Sequence, residues 1–529
     1  MRRPSRPQLL IGAAALAVLG TVVGLLVATG GSNGPHPPRG ITDRQVRIPQ
    51  DGGVKLSAEV ITPRGSGRVP LVVLPASWGS SASEYRYLGC QLAEAGDQVV
   101  SYAQPGFGGS GGTIDYAGPA TQRAASKVID WALAHTRGDP HRIGMAGASY
   151  GAGVSLLAAA RDKRVRAVVA MSTWTDLAAT FDANDTTSVE SLGGLLADAA
   201  KTGNLSAQWT AIARQLTTDP AAAGRSVTAL SPARSPSSVI TALNRNHPAI
   251  MLANAFEDSI IAPQQLVDFY GRLTGPKRLQ LAPGDHGGPE YPGLLGQPDA
   301  TTAAARAWLA HYVGGVANGI DRQPPIQLQD LVTRTWHSYR SWPAAASTVQ
   351  LGRPDSASAI ATGGAITWTA AIGAGTDTVA TSGPSAIGSG PTYRPPTIRL
   401  TAVDRRHGAV WVGPAVASAT LLSGTPRLRV DVRSSSGAAS LFVYLYDVAP
   451  DRTATLMSVT PDTTTAAGTA TPVSLDLQPT SWTFAPGHRL ALVIDTVDPR
   501  WHSASRPGST VTLSSSASDP ASLALPSAS

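Results

Sequence analysis

One short stretch limits the folds open to this 529-residue chain: Met145-Ala146-Gly147-Ala148-Ser149-Tyr150-Gly151. It stands between a strand-like run, His141 to Ala146, and a small-residue helical run, Gly151 to Arg161. Gly-x-Ser-x-Gly in that setting predicts a nucleophile elbow, a strand-to-helix turn tight enough to force Ser149 into a strained backbone conformation. Side chains on its flanks would collide, so glycines stand at 147 and 151. The hydroxyl is then held above the sheet edge, with the helix N-terminus beneath it. The pattern recurs at Gly30–Gly34, inside a Gly/Pro-rich linker, and at Gly108–Gly112, where no helical pattern follows at once. Both of those copies read as flexible loop.

The chain around the elbow alternates. Strands are expected at Gln45 to Ile48, Val54 to Ile61, Val69 to Leu74, Asp97 to Tyr102 and Arg166 to Met171, with helices at Ala82 to Ala95 and Thr121 to Ala134. Largely apolar strands alternating with helices predict a mostly parallel sheet covered on both faces. Residues 174–246 break the alternation with helices and polar loops and read as a helical cap insertion. The alternation resumes with the strand Ala249 to Ala253, the helix Pro263 to Leu273, the strand Arg278 to Leu281 and the helix Thr302 to Tyr312. After Gly319 helical periodicity is lost and short alternating strands recur, such as Arg427 to Val432, Leu441 to Tyr446 and Leu490 to Ile494. These predict an all-β sandwich. The expected organisation is an N-terminal anchor and linker over 1–40, an α/β domain over 41–318, a sandwich over 319–513 and a disordered Ser/Ala/Pro-rich tail over 514–529.

Apolar residues make up 42% of the chain and charged residues 15%, which is a globular balance. The net charge of +7 is scattered, with no basic stripe interleaved with aromatics, so nucleic acid is not an expected partner. The single Cys90 excludes an intrachain disulfide and any multi-cysteine metal site, and its helical setting predicts a buried small apolar residue. No His, Asp and Glu cluster has ligand spacing, so neither metal nor cofactor is expected. Arg2, Arg3 and Arg6 precede an uncharged run from Leu9 to Ala28. About 20 such residues span a bilayer core, and arginines stay on the cytoplasmic side. The run predicts a membrane anchor with the remaining chain extracytoplasmic. A cleaved signal ending near Ala28-Thr29-Gly30 is the alternative.

A serine nucleophile needs a base, and the base needs an orienting carboxylate; on this architecture they follow in the order Ser, Asp or Glu, His. His286 stands in a loop directly after a strand, where ligands bind in open parallel sheets. His247 precedes a strand and His311 lies in a helix, so neither suits the base. Asp258, after the strand Ala249 to Ala253 and shortly before Pro263, is the expected acid, with Glu257 as the alternative. Asp285 is expected to brace the histidine loop. The oxyanion of a tetrahedral intermediate needs two donors; the backbone N–H groups of Tyr150 and Trp78 are the candidates. Gly106 to Gly111 also fits Gly-x-Gly-x-x-Gly, but no helix opens inside it, which argues against dinucleotide binding.

The elbow, the Gln104 to Ser110 loop and the Asp258/His286 pair resemble the α/β-hydrolase fold. Trp336 to Pro343, Leu441 to Val448 and Phe484 to Leu490 are similar to the jelly-roll domain of the X-Pro dipeptidyl-peptidase/cocaine esterase-like hydrolases. The resemblance covers most of the chain after residue 41. It implies an α/β hydrolase plus a C-terminal jelly roll, cleaving esters, amides or Xaa-Pro peptides through an acyl-enzyme. Ser149, Asp258 and His286 fall where that family's triad falls. Two departures stand out. The family writes its elbow Gly-x-Ser-Tyr-x-Gly, whereas here the glycine is Gly151 and Ala152 takes the family's position. The family's oxyanion tyrosine, after Pro in the third-strand loop, is replaced by Ala76-Ser77-Trp78. No feature marks recognition of a free N-terminal amine. A carboxylesterase or lipase on envelope lipids and a non-catalytic envelope-binding protein are the rival expectations.

Overall fold

The computed structural model describes residues 37–355, 360–361 and 367–526. The Leu9 to Ala28 run and the Gly30–Gly34 motif copy lie outside them. Among the described residues no helix is long and apolar enough to cross a membrane.

Ten strands form the first sheet: β1 (Thr42–Pro49), β2 (Lys55–Thr62), β3 (Val69–Pro75), β4 (Gln98–Tyr102), β5 (Gly138–Ala148), β6 (Val165–Met171), β7 (Ala249–Ala255), β8 (Lys277–Ala282), β9 (Ile326–Gln329) and β10 (Trp336–Tyr339). Their order is β1-β2-β4-β3-β5-β6-β7-β8-β9-β10. The strands from β4 to β9 pair in parallel. Antiparallel pairs close the two edges. The helices that cover this sheet are α1 (Arg86–Glu94), α2 (Pro119–His135), α3 (Ser149–Arg161), five cap helices α4 to α8, then α9 (Gln264–Arg272) and α10 (Ala300–Tyr312).

The central strands are continuous apolar runs because both faces are buried. Leu71 and Val73 of β3 pack with Val128 and Ile129 of α2 and Leu156 of α3. Their neighbours Val72 and Leu74 point the other way, into a second core with Leu88 of α1 and Trp308 of α10. The cap consists of α4 (Leu177–Phe181), α5 (Val189–Thr202), α6 (Ala207–Thr218), α7 (Pro220–Leu230) and α8 (Ile240–Asn246). Side chains that stand just ahead of its helices set where they start. Asp176 accepts from the N–H groups of Ala178 and Ala179, Ser188 from Ser191 and Asp219 from Ala222.

Two sequence expectations need correction. The sheet of the α/β domain does not stop before residue 319: β9 joins it in parallel beside β8, with Leu279 opposite Ile326, and β10 follows antiparallel. Ile-Gln-Leu-Gln in β9 alternates like a sandwich strand, because only one of its faces, Ile326 and Leu328, is buried. The tail expected to be disordered from residue 514 instead carries strand Thr510–Ser515 to its end and then strand Ser522–Pro526. The latter lies in the middle of a sandwich sheet, between Ala345–Leu351 and Arg427–Ser434, with Leu523 buried. A five-residue Ser/Leu/Ala/Pro stretch shows no strand signal of its own; the ladders on both sides supply the stability. The second sheet of the sandwich runs Thr397–Arg399, Thr453–Thr465, Ala438–Val448, Arg489–Asp495, Ala409–Ala415.

Candidate active site

Ser149 opens α3 at the C-terminal end of central strand β5, with φ +52°. A non-glycine residue in the left-handed region costs about 1–2 kcal/mol, which the surroundings must offset. The flanking glycines are explained by close approach. A Cβ on Gly147 would lie 2.7 Å from the Gly151 carbonyl carbon, and one on Gly151 would lie 1.9 Å from the Pro75 oxygen at the end of β3. The crossing of β3 therefore decides that the second glycine stands at 151.

His286 lies in the loop after β8 and Asp258 in the loop after β7. The His286 Nε2 is 2.9 Å from the Ser149 Oγ, and its Nδ1 is 2.8 Å from an Asp258 carboxylate oxygen. The other Asp258 oxygen accepts from the N–H groups of Ile260, at 2.9 Å, and Ile261, at 2.7 Å. The carboxylate is thus fixed from one side while it orients the imidazole from the other. Burial acts to lower the His286 pKa, but the Asp258 charge and hydrogen bond, with Glu290 and Asp285 nearby, raise it above the usual histidine value. Glu257 does not reach the imidazole; its Oε2 accepts from the Gly284 N–H at 3.3 Å. His247 caps α8 and His311 bonds the Val316 carbonyl. Ser110 is a loop brace, donating to the Ala103 carbonyl and accepting from the Ser57 N–H. Cys90 is buried, as its helical setting predicts, and burial raises its thiol pKa.

The Tyr150 N–H is in the first turn of α3 and so has no acceptor within the helix. Trp78 follows β3, and its indole ring packs on Phe107, Tyr116 and Tyr150, with centroids 4.8, 4.3 and 5.3 Å away. Ser149, Trp78, Tyr116, Tyr150, Trp174, Phe181 and Ile260 line a cavity of about 30 Å³. No ionisable carboxylate, lysine, arginine or histidine is among the residues lining it. A larger cavity, about 370 Å³, lies between the β7 loop, the cap and the sandwich, and shares Thr180 and Ile260 with the first. Among the described residues, no group of three or more His, Cys, Asp or Glu side chains is placed to hold a metal ion.

Sequence reasoning missed the support beneath the elbow. Tyr85 Oη accepts the Ala148 N–H at 2.8 Å, and Ser77 Oγ donates to the Ala148 carbonyl at 2.9 Å. Both peptide groups of Ala148, the residue before the nucleophile, are thereby held. Two carboxyls stand behind the site, Glu84, partly buried, and Glu290, fully buried, and desolvation pushes each up to about 7. None of these residues lies in a recognisable motif, because each acts across many residues of sequence.

The pattern described as X-Pro dipeptidyl-peptidase (S15 family) matches residues 51–288, and that of the X-Pro dipeptidyl-peptidase C-terminal non-catalytic domain matches residues 318–523. The chain belongs to this family. It is a serine hydrolase, of a family acting on esters or X-Pro peptides. Solved structures agree on the fold. An aminopeptidase from a marine sediment archaeon, Thaumarchaeota archaeon, superposes with TM-score 0.71 at 15% identity, covering 93% of this chain and 98% of that one. An α-amino acid ester hydrolase gives 0.70 at 15% identity, covering 94% and 99%. A CocE/NonD family hydrolase from Staphylococcus aureus gives 0.69 at 11% identity, covering 92% and 94%. No curated protein matches the sequence. In this member of the S15 family the second elbow glycine, Gly151, faces the end of β3.

Proposed function

We propose that this S15-family chain is an extracytoplasmic esterase acting on esters of short, uncharged acyl groups. Ser149 is the nucleophile, His286 the base and Asp258 the orienting acid. Ser149 Oγ attacks the ester carbonyl as His286 Nε2 takes its proton; His286 then gives that proton to the departing alkoxide. Water, deprotonated by the same imidazole, releases the acyl group. The Tyr150 and Trp78 N–H groups stabilise the oxyanion.

The observation that carries the substrate class is the cavity beside Ser149, small, walled by aromatics and Ile260, and lined by no charged side chain. A dipeptidyl-peptidase must seat a free ammonium; the cavity beside Ser149 offers it no charged partner, and carboxylates such as Glu257 and Asp268 line the larger cavity instead. At about 30 Å³ this cavity is close to one water molecule in size, so it favours the shortest acyl chains over a lipid chain. The larger neighbouring cavity gives the alcohol portion room. The location rests on the Arg2, Arg3, Arg6 and Leu9 to Ala28 pattern.

The test is a series of p-nitrophenyl esters from acetate to laurate beside Xaa-Pro-p-nitroanilides. The expected kcat/KM falls at least about tenfold from butyrate to laurate, with the anilides turned over more slowly than any short ester. Faster turnover of an Xaa-Pro-anilide than of the butyrate ester would reverse the assignment. Removing residues 1–40 should leave short-ester activity unchanged, and N-terminal sequencing of native protein decides between anchor and cleaved signal.

A further inference from the structure

The sandwich domain is matched as non-catalytic, yet one of its loops is bonded to the histidine end of the site. Asp285, the neighbour of His286, is 1% exposed. Its Oδ1 accepts the N–H of Ser259, at 2.7 Å, and of His286, at 2.6 Å; its Oδ2 accepts the N–H of Ala386. One carboxylate thus joins three segments: the loop that carries Asp258, the loop that carries His286, and the sandwich. The backbones add to it. The Gly388 N–H donates to the His286 carbonyl at 2.8 Å, and the Asp285 N–H donates to the Ser389 carbonyl at 2.9 Å.

This contact is a built one. The two backbones approach so closely that side chains are excluded on both sides. A Cβ on Gly288 would lie 2.1 Å from the Ser389 oxygen, and one on Gly390 would lie 2.2 Å from the Gly288 oxygen. Gly284, at φ +143°, is likewise held 2.7 Å from the Ser389 oxygen by the same measure. The histidine loop and segment 386–390 therefore form one backbone-to-backbone seam, sealed by the Asp285 carboxylate.

We propose that Asp285, with segment 386–390 of the sandwich, is a positioning device for the reaction: it fixes the loops of Asp258 and His286 so that the imidazole stays in line with Ser149. This rests on the assignment of Ser149, His286 and Asp258 above. Asp285 reaches no reacting atom; it acts through the two loops. The C-terminal domain is then required for turnover and not only for solubility or docking. A displacement of about 1 Å at a reacting group costs on the order of 100-fold in rate, which sets the expected effect.

The experiment uses the full chain and counts active sites by fluorophosphonate labelling, so that unfolded protein does not enter kcat. Asp285→Asn keeps the shape but turns one acceptor oxygen into an amide that cannot accept. Its kcat on p-nitrophenyl butyrate should fall about 10- to 100-fold per labelled site, with KM changed little and with slower labelling. Gly390→Ala, on the sandwich side and remote from the chemistry in sequence, should do the same by forcing the seam apart. Gly413→Ala is the control, since its Cβ meets nothing nearer than 3.4 Å; its kcat should equal wild type. If Asp285→Asn yields no folded protein, Gly390→Ala decides. Wild-type kcat per labelled site in Gly390→Ala or in a folded Asp285→Asn, even with a lowered Tm, overturns the proposal. Failure of the wild-type protein to label at Ser149 overturns the parent assignment instead, a result visible before any Asp285 variant is made.

Discussion

Ser149 and His286 meet at 2.9 Å, but the chain holds them by different means. Ser149 is set largely by its own neighbourhood: β5 delivers it, α3 leaves from it, and Gly147 and Gly151 clear the turn. Its long-range support comes from within the same domain, through Tyr85 and Ser77 on Ala148. His286 has no such local frame. Its loop is tied to the Asp258 loop by Asp285 and to the sandwich through Ala386, Gly388 and Ser389. A strained turn between two regular elements is self-positioning, because the strand and helix on either side leave it one conformation. A loop after an edge-ward strand is not, so its geometry is borrowed from whatever packs on it. The difference teaches that the two halves of one hydrogen-bonded chain should fail differently.

The largest expected effect is on the serine side. Ser149→Ala should lower kcat on the order of 10⁶-fold and abolish fluorophosphonate labelling, with circular dichroism unchanged. Ser110→Ala, in the competing motif copy, should leave kcat per folded molecule near wild type. Equal losses in the two variants would place the nucleophile elsewhere.

The next effect concerns the Asp258 link. Asp258→Asn should lower kcat on the order of 10⁴-fold. The sign of the accompanying pH shift follows from charge. Asp258 raises the His286 pKa, and the imidazole must be neutral to accept the Ser149 proton. In wild type, kcat/KM should therefore rise with pH through one ionisation above the usual histidine value of about 6.5. Removing the carboxylate should move that limb to lower pH. A profile flat from about pH 5 to 8, or a limb that moves upward in Asp258→Asn, would remove His286 from the role of base.

The smallest effect on rate, and the sharpest contrast with the histidine seam, is expected from Gly151→Ala. Its Cβ meets the Pro75 backbone at 1.9 Å, so β3 and the elbow cannot both keep their places. The cost should appear as stability, on the order of 4 kcal/mol, read as a lowered Tm or lost soluble yield. If the elbow keeps its one conformation the end of β3 gives way, so molecules that do fold should still label with fluorophosphonate at Ser149 and lose kcat only as far as the Trp78 donor after β3 is displaced. A stable Gly151→Ala protein with a large loss in kcat would show that the serine side, too, depends on fine positioning by its neighbours.

Much of this protein follows from the sequence alone, for a physical reason. Elements buried on both faces, such as β3 and β6, must be apolar runs, and amphipathic helices such as α2 must repeat at helical spacing, so the parallel sheet was legible. The elbow was legible because a forbidden backbone angle leaves glycines beside it. Asp258 and His286 were legible because chain order and strand ends restrict the choice to a few residues. What the sequence could not carry are the features made by contacts between distant residues. The strands β9 and Ser522–Pro526 exist because a neighbour's ladder is there to receive them, not because of their own propensity. Tyr85 and Ser77 look like ordinary loop residues until the fold brings Ala148 to them. The position of the second elbow glycine was set by where β3 passes, and the three-way bonding of Asp285 by a sandwich loop whose Ala386 lies 101 residues further along the chain. Local chemistry dictated which residues could react; only the tertiary structure decided what holds them in reach of one another.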